Sequence, residues 1–223
     1  MAFSEYAFGS AADPLSGEAE WVKQGSVNVA SAGQASGGRY VSTEASTADQ
    51  AAVYQTAFGE DQFAQSEIVT FGSGTIRVGL LLRCDESGTD QRGLLVRYTG
   101  SAVELKSWNS SGTRSDVDSF AYSSFANGDY WRAEVIGNTV TVYRQAGGSG
   151  AFTSIGTLDA SGADWFNPGN PSAPGIYVVE NGTTQSVQDN WAGGDDGDYP
   201  SGGGGGGVSI PVVMNYRNRL AVS

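Results

Sequence analysis

Tyr130-Trp-Arg-Ala-Glu-Val-Ile-Gly-Asn-Thr-Val-Thr-Val-Tyr143 reads as two alternating runs on either side of Gly137-Asn138, a dipeptide that accepts the positive φ angles of a tight hairpin turn. With the turn there, Val135 faces Val140, Ala133 faces Val142, and Trp131 continues the same side. Glu134 then faces Thr141, and Arg132 faces Tyr143. One side is apolar and the other polar, the pattern of an antiparallel sheet laid over a core. A slip of one residue would turn every apolar group into water, so the register is strongly specified.

Similar segments lie on both sides of the hairpin. Phe63 to Phe71, Ile76 to Leu82, Gly93 to Tyr98 and Ala102 to Trp108 follow one another with short loops and read as a meander. Ile76, Val78, Leu80 and Leu82 share one apolar face. Phe152 to Leu158, Gly175 to Val179 and Ser186 to Trp191 add later strands. Trp21 to Val29, Tyr40 to Ser42 and Ala52 to Gln55 add earlier ones. Helical periodicity is absent throughout. About a dozen strands and no helix call for two sheets covering each other, which predicts an all-β, two-sheet antiparallel sandwich. Bringing the chain ends side by side would pair the 186–191 strand near the N-terminal one.

The 223 residues, 33 of them Gly, suit one large all-β domain. Twelve Lys and Arg against 24 Asp and Glu give a net charge of -12, which repels a nucleic-acid backbone. No apolar run approaches the ~20 residues of a membrane helix, and Met1-Ala-Phe-Ser-Glu lacks the parts of a signal peptide, so a soluble chain made in a cytoplasm is expected. The single Cys84 has no internal disulfide partner and reads as a small apolar group at a buried strand end.

The domain is expected to span 1–196. Residues 197–207, ending in six glycines, read as a linker that cannot bury a core. The chain then turns apolar again, and Val208, Ile210, Pro211, Val212, Val213, Met214 and Tyr216 read as a docking tail that adds to a partner as an edge strand.

The order of motifs resembles the concanavalin A-like (laminin-G-like) jelly-roll superfamily. The likeness rests on the aromatic opening with Pro14-Leu-Ser16 and Trp21, the pair Gly79-Leu-Leu-Leu-Arg83 and Gly93-Leu-Leu-Val-Arg-Tyr98, the 129–143 hairpin, and the closing Pro174-Gly-Ile176 with Asp189-Asn-Trp191. It implies the jelly-roll fold over 1–194 and leaves function open among lectins, glycoside hydrolases, adhesion modules and virion proteins. The hexaglycine and its Ser-Ile-Pro-Val tail are similar to the ends of tailed-phage structural proteins.

Hydrolases of this superfamily set two carboxylates on one strand, one as nucleophile and one as acid. Glu67, Glu104 and Glu134 each lack an acidic neighbour two or four residues away, and the chain has no His, so no enzyme is expected. A glycan would be held by aromatic faces and amides at the loop ends, for which Trp108, Asn109, Trp165, Asn167 and Tyr177 are the candidates. The competing reading of these aromatics is core, as for Trp21, Trp131 and Trp191. No cofactor is expected unless it is calcium, for which Asp85, Glu86 and Asp90 in one loop supply oxygens; the competing reading is solvated turn residues.

The leading expectation is a non-enzymatic virion structural protein, a capsid decoration or head–tail accessory anchored through its ends. Its partners would be other virion proteins, a major capsid protein and further copies of itself, with no nucleic acid and no membrane. The alternative is a carbohydrate-binding module that recognises a host-surface glycan, and the weaker alternative a glycoside hydrolase.

Overall fold

A computed structural model of the chain describes residues 3–6, 20–24, 34–36, 39–41, 49–71, 77–166, 171–179 and 186–195. In chain order the strands are β1 (Phe3–Tyr6), β2 (Trp21–Lys23), β3 (Gln34–Ser36), β4 (Arg39–Val41), β5 (Asp49–Tyr54), β6 (Gln62–Thr70), β7 (Arg77–Cys84) and β8 (Gly93–Tyr98). They continue as β9 (Ala102–Trp108), β10 (Arg114–Ala121), β11 (Asp129–Ile136), β12 (Thr139–Gln145), β13 (Thr153–Asp159), β14 (Ala173–Val179) and β15 (Val187–Asp195). The only helical element among the described residues is the short 3-10 turn Ala146–Gly148.

Two antiparallel sheets form the expected sandwich. The eight-stranded sheet runs β13, β12, β11, β6, β15, β4, β3, with β1 also paired to β15, and the seven-stranded sheet runs β10, β9, β8, β7, β14, β5, β2. The first and last described strands, β1 and β15, pair as anticipated, Phe3 opposite Gly194 and Tyr6 opposite Trp191. β10 was not legible beforehand: its alternation of exposed and half-buried residues belongs to an edge strand with little to bury.

The hairpin of β11 and β12 has the register that its side chains demand, with Val135 opposite Val140 and Ala133 opposite Val142. Gly137 takes a positive φ of 54°, and Asn138 does not, so glycine carries the strained first position of the turn. The turn is tied down from outside. Gly137 N–H donates to Asp61 Oδ1 at 2.8 Å, Arg83 Nη2 donates to Gly137 O at 2.6 Å, and Ala160 N–H donates to Asn138 O at 2.8 Å.

Between the sheets, Leu80, Leu82, Leu94, Val96 and Leu105 pack against Trp131, Ala133, Val135, Val140 and Val142, all fully buried. Each such Val or Leu stabilises the fold by about 1.5–3 kcal/mol relative to exposure. Trp21, Tyr54 and Trp191 stack in a ring cluster with centroids 4.9–5.4 Å apart, joining β2 and β5 to β15. A polar chain also crosses the core. Trp131 Nε1 donates to Ser66 Oγ at 2.9 Å, Ser66 donates to Gln188 Oε1 at 2.8 Å, and Gln188 Nε2 reaches Tyr177 O of the other sheet at 2.7 Å. The donors and acceptors along that chain are paired, so the cost of taking them out of water is offset by the bonds that link the sheets. At Gly175 a Cβ would lie 2.3 Å from the Ala52 carbonyl, so only glycine lets β14 approach β5 there.

One expectation fails for the seven-stranded sheet. Part of its outer side is buried as well, where Val53, Leu81, Cys84, Leu95, Trp108 and Tyr177 with Ala51 and Ala173 form a second apolar cluster, while toward β10 that side carries the ion pairs of Arg97 and Lys106 with Glu104 and Asp116. All six residues of β8 are buried, as an uninterrupted Leu-Leu-Val run requires when both faces are covered. Cys84 is buried and unpaired, and desolvation pushes its thiol far up, leaving it inert as a nucleophile.

Candidate functional site

The aromatic residues nominated from the sequence do not form an open platform. Trp108 is 1% exposed and Tyr177 fully buried, both within the second apolar cluster, so neither offers a face to a sugar. The reason is the second apolar cluster on the outer side of the seven-stranded sheet, which makes these outward-pointing aromatics part of a core. Asn109 closes its own turn, its Oδ1 accepting from Ser111 N–H and Thr113 N–H at 3.0 Å each. Trp165 is half-buried and lies over the Arg83 guanidinium, 4.7 Å from carbon to ring centroid. It caps the hairpin end of the sandwich. Asn167 and the docking residues Val208, Ile210, Pro211, Val212, Val213, Met214 and Tyr216 fall outside the described residues.

The loop proposed for calcium uses two of its three carboxylates itself, those of Asp85 and Asp90. Asp85 Oδ1 accepts from Ser87 N–H at 3.0 Å, and Asp85 Oδ2 accepts from Ser87 Oγ, Thr89 N–H and Asp90 N–H at 2.6–2.9 Å. Asp90 is bound by Arg92 through both oxygens, and the Arg92 hydrogen bond holds its carboxyl below the usual range. Glu86 Oε2 is buried with no hydrogen-bond partner among the described residues, and among these residues no three acidic, His or Cys side chains gather as metal ligands. Asp85 and Asp90 thus staple their own loop, as turn carboxylates do.

The chemistry gathers instead on the outer side of the eight-stranded sheet. Ala64, Ile68, Trp131, Ala133, Val140 and Val142 point inward, so their alternates point out. Strand pairing sets these alternates in rows. Asp189 of β15 lies opposite Glu67 of β6, Glu67 opposite Tyr130 of β11, and Tyr130 opposite Gln145 of β12. The next row is Ala192, Gln65, Arg132 and Tyr143, and the one after it Gly194, Phe63, Glu134 and Thr141.

In the first row Tyr130 OH donates to Glu67 Oε2 at 3.2 Å, and Asn190 Nδ2 reaches the same oxygen at 2.7 Å and the Tyr130 hydroxyl at 2.9 Å. Both bonds to Glu67 fall on Oε2, and Oε1 has none to a described residue. Asn190 is placed by a bulge. β15 carries one extra residue between Asp189 and Ala192, Asn190 takes a positive φ of 48°, and Trp191 is thereby sent into the core while the Asn190 amide swings over Glu67. Asparagine tolerates that backbone better than most residues. Burial, and then the Glu67 charge, pushes the Tyr130 hydroxyl up to about 12, so it stays a donor at physiological pH.

In the second row Arg132 is a clamp. Nη1 donates to Glu134 Oε1 at 2.8 Å and Nε to Gln65 Oε1 at 3.2 Å, while the guanidinium lies 4.4 Å from the Phe152 ring centroid and 5.3 Å from that of Phe63. Tyr143, raised by burial and then by its hydrogen bond to Glu134, stands beside it half-buried. The rings of Tyr143 and Phe152 thus adjoin a row of carboxylate and amide groups.

Burial raises the Asp189 carboxyl above its ordinary value, and Glu67 adds to the rise. A raised carboxyl binds its proton more tightly in the folded state, so stability is lost as pH climbs from the unfolded value through the folded one and stays lost above it. Asp189→Asn is therefore expected to raise the melting temperature at pH 7 and to give no gain at pH 3, where both states carry the proton. Thermal unfolding at the two pH values checks this.

No family model matches the chain, and no curated protein matches it. Solved structures do. A β-1,3-1,4-glucanase (lichenase) from a mouse hindgut metagenome is 9% identical with a TM-score of 0.55, covering 87% of this chain and 99% of its own. A galectin-like protein of unknown function from Bacillus subtilis is 8% identical with a TM-score of 0.54, over 87% and 98%. The carbohydrate-binding module CBM66 from Bacillus subtilis is 13% identical with a TM-score of 0.50, over 77% and 93%. These likenesses show the fold, a two-sheet antiparallel jelly roll, and give no link to a virion. They also correct the exclusion of an enzyme. That exclusion rested on solitary acids, whereas this fold carries glucan-cleaving enzymes and the sheet sets Glu67 and Asp189 side by side from distant parts of the chain.

Proposed function

We propose that the chain recognises carbohydrate, binding a glycan on the outer side of the eight-stranded sheet. The observation that carries this reading is the row Asp189, Glu67 and Tyr130 with Asn190 across it, flanked by the rings of Tyr143 and Phe152. A sugar ring presents C–H faces that pack on aromatic rings and hydroxyls that need fixed, planar acceptors and donors beside them. Glu67 Oε1 and the Asn190 side chain supply the polar half, already oriented by partners, so little ordering entropy is lost on binding. The fold shared with CBM66 supports the reading at the level of architecture.

The test is a glycan array read with the whole chain and with Asn190→Ala, accompanied by a reducing-end assay so that a glycan that is cut is detected as well as one that is held. Binding or cleavage by the parent chain, lost in Asn190→Ala, is the expected result. Trp165→Ala should keep the glycan, because Trp165 lies over Arg83 and away from this row. No glycan engaged by the parent chain, or engagement indifferent to Asn190, would sink the proposal.

A further inference from the structure

We infer that the glycan held on this face is uncharged, and that polymers of uronic acid are turned away by the face itself. The inference rests on the carbohydrate reading above and narrows its ligand class. It follows from how charge is distributed over the rows. Three carboxylates, Glu67, Asp189 and Glu134, stand on this side of the sheet against two guanidinium groups, that of Arg132 and that of Arg39 on the strand next to Asp189.

The Arg132 guanidinium is not available to a ligand. Arg132 is 6% exposed, its Nη1 and Nε are bound to Glu134 and Gln65, and its plane lies against Phe152 and Phe63. A uronate reaching it would have to displace Glu134, trading one carboxylate for another. Arg39 on β4 acts on Asp189 from the neighbouring strand, so the face keeps three carboxylates to two cations, one of them, Arg132, already engaged. Glu67 and Asp189 face each other across the sheet with Tyr130 and Asn190 as their neutral neighbours. A third carboxylate brought beside them meets like charge at short range, where the repulsion is poorly screened. A hydroxyl brought there donates to Glu67 Oε1 and relieves an acceptor without a described partner. The chain's net charge of -12 adds a long-range field of the same sign.

Soluble cello-, laminari-, manno- and xylo-oligosaccharides are the neutral probes, and oligogalacturonates, oligomannuronates and oligoguluronates of the same length the charged ones. Titration calorimetry at low salt should find at least one neutral series bound, with every uronate series weaker than it by about tenfold or more. Raising the salt to about 1 M, where the screening length falls to about 3 Å, should narrow the gap. The double variant Glu67→Gln/Asp189→Asn should narrow it at low salt, by weakening the neutral series and strengthening the uronates; near-ultraviolet circular dichroism confirms that it is folded. A uronate series bound as tightly as the neutral ones overturns the inference and leaves carbohydrate recognition standing. Failure of every probe to bind overturns both.

Discussion

Trp131→Ala is expected to cost about 3–5 kcal/mol of folding stability, among the largest losses a single substitution can produce in this chain. The indole is fully buried, edge-on to Phe125 at 5.8 Å between centroids, and its Nε1–H donates to Ser66 Oγ at 2.9 Å. Alanine leaves a cavity between the sheets and removes the donor that begins the polar chain to Gln188 and Tyr177. Trp131→Phe keeps most of the volume and loses the hydrogen bond, so it should cost nearer 1 kcal/mol. Urea unfolding of the two variants separates cavity from hydrogen bond. If both cost the same, the polar chain rather than the packed indole governs this part of the core.

Glu67→Gln is expected to weaken glycan binding by about ten- to a hundredfold, the loss that accompanies removal of the charge from one hydrogen-bonded acceptor. The substitution is nearly isosteric. Asn190 Nδ2 and Tyr130 OH still find an amide oxygen in place of Glu67 Oε2, so the row keeps its shape. Stability should hold or rise, because the like charge facing Asp189 is gone. Binding measured on one preparation therefore falls while stability does not, which is what distinguishes a ligand-holding carboxylate from a structural one.

The hairpin was legible from its residues because each strand has one apolar face and the turn fixes which residues meet. Val135 and Val140, Ala133 and Val142 lie where alternation puts them. The apolar run Leu80-Leu-Leu82 was read for a single face, and Leu81 buried on the other side showed that alternation is silent where both faces are covered. Trp108 and Tyr177 were misplaced for the same reason: an aromatic that alternates outward reads as a platform until something covers it. Trp165 was a matter of a cation that lies nowhere near it in the chain, Arg83.

The polar row was missed for a different physical cause. Asp189 and Glu67 become neighbours only when β15 inserts beside β6, and a search for acids two or four residues apart along one strand cannot see a pair made across two. Asn190 adds a bulge, which moves its side chain out of the alternation altogether. The one hint in the sequence was the polar face of the hairpin itself, since Tyr130, Arg132, Glu134 and Tyr143 already lined up on one side with acids and aromatics interleaved.

Backbone amide chemical-shift mapping during titration with the neutral oligosaccharide panel tests the central claim most directly, because it reports where a ligand sits as well as whether it binds. Recognition on the outer side of the eight-stranded sheet predicts shifts concentrated at Glu67, Tyr130, Tyr143 and Asn190 and their neighbours on β6, β11, β12 and β15. Shifts confined to the 85–92 and 109–113 loops or to the seven-stranded sheet, or no shifts with any of these glycans, would contradict it.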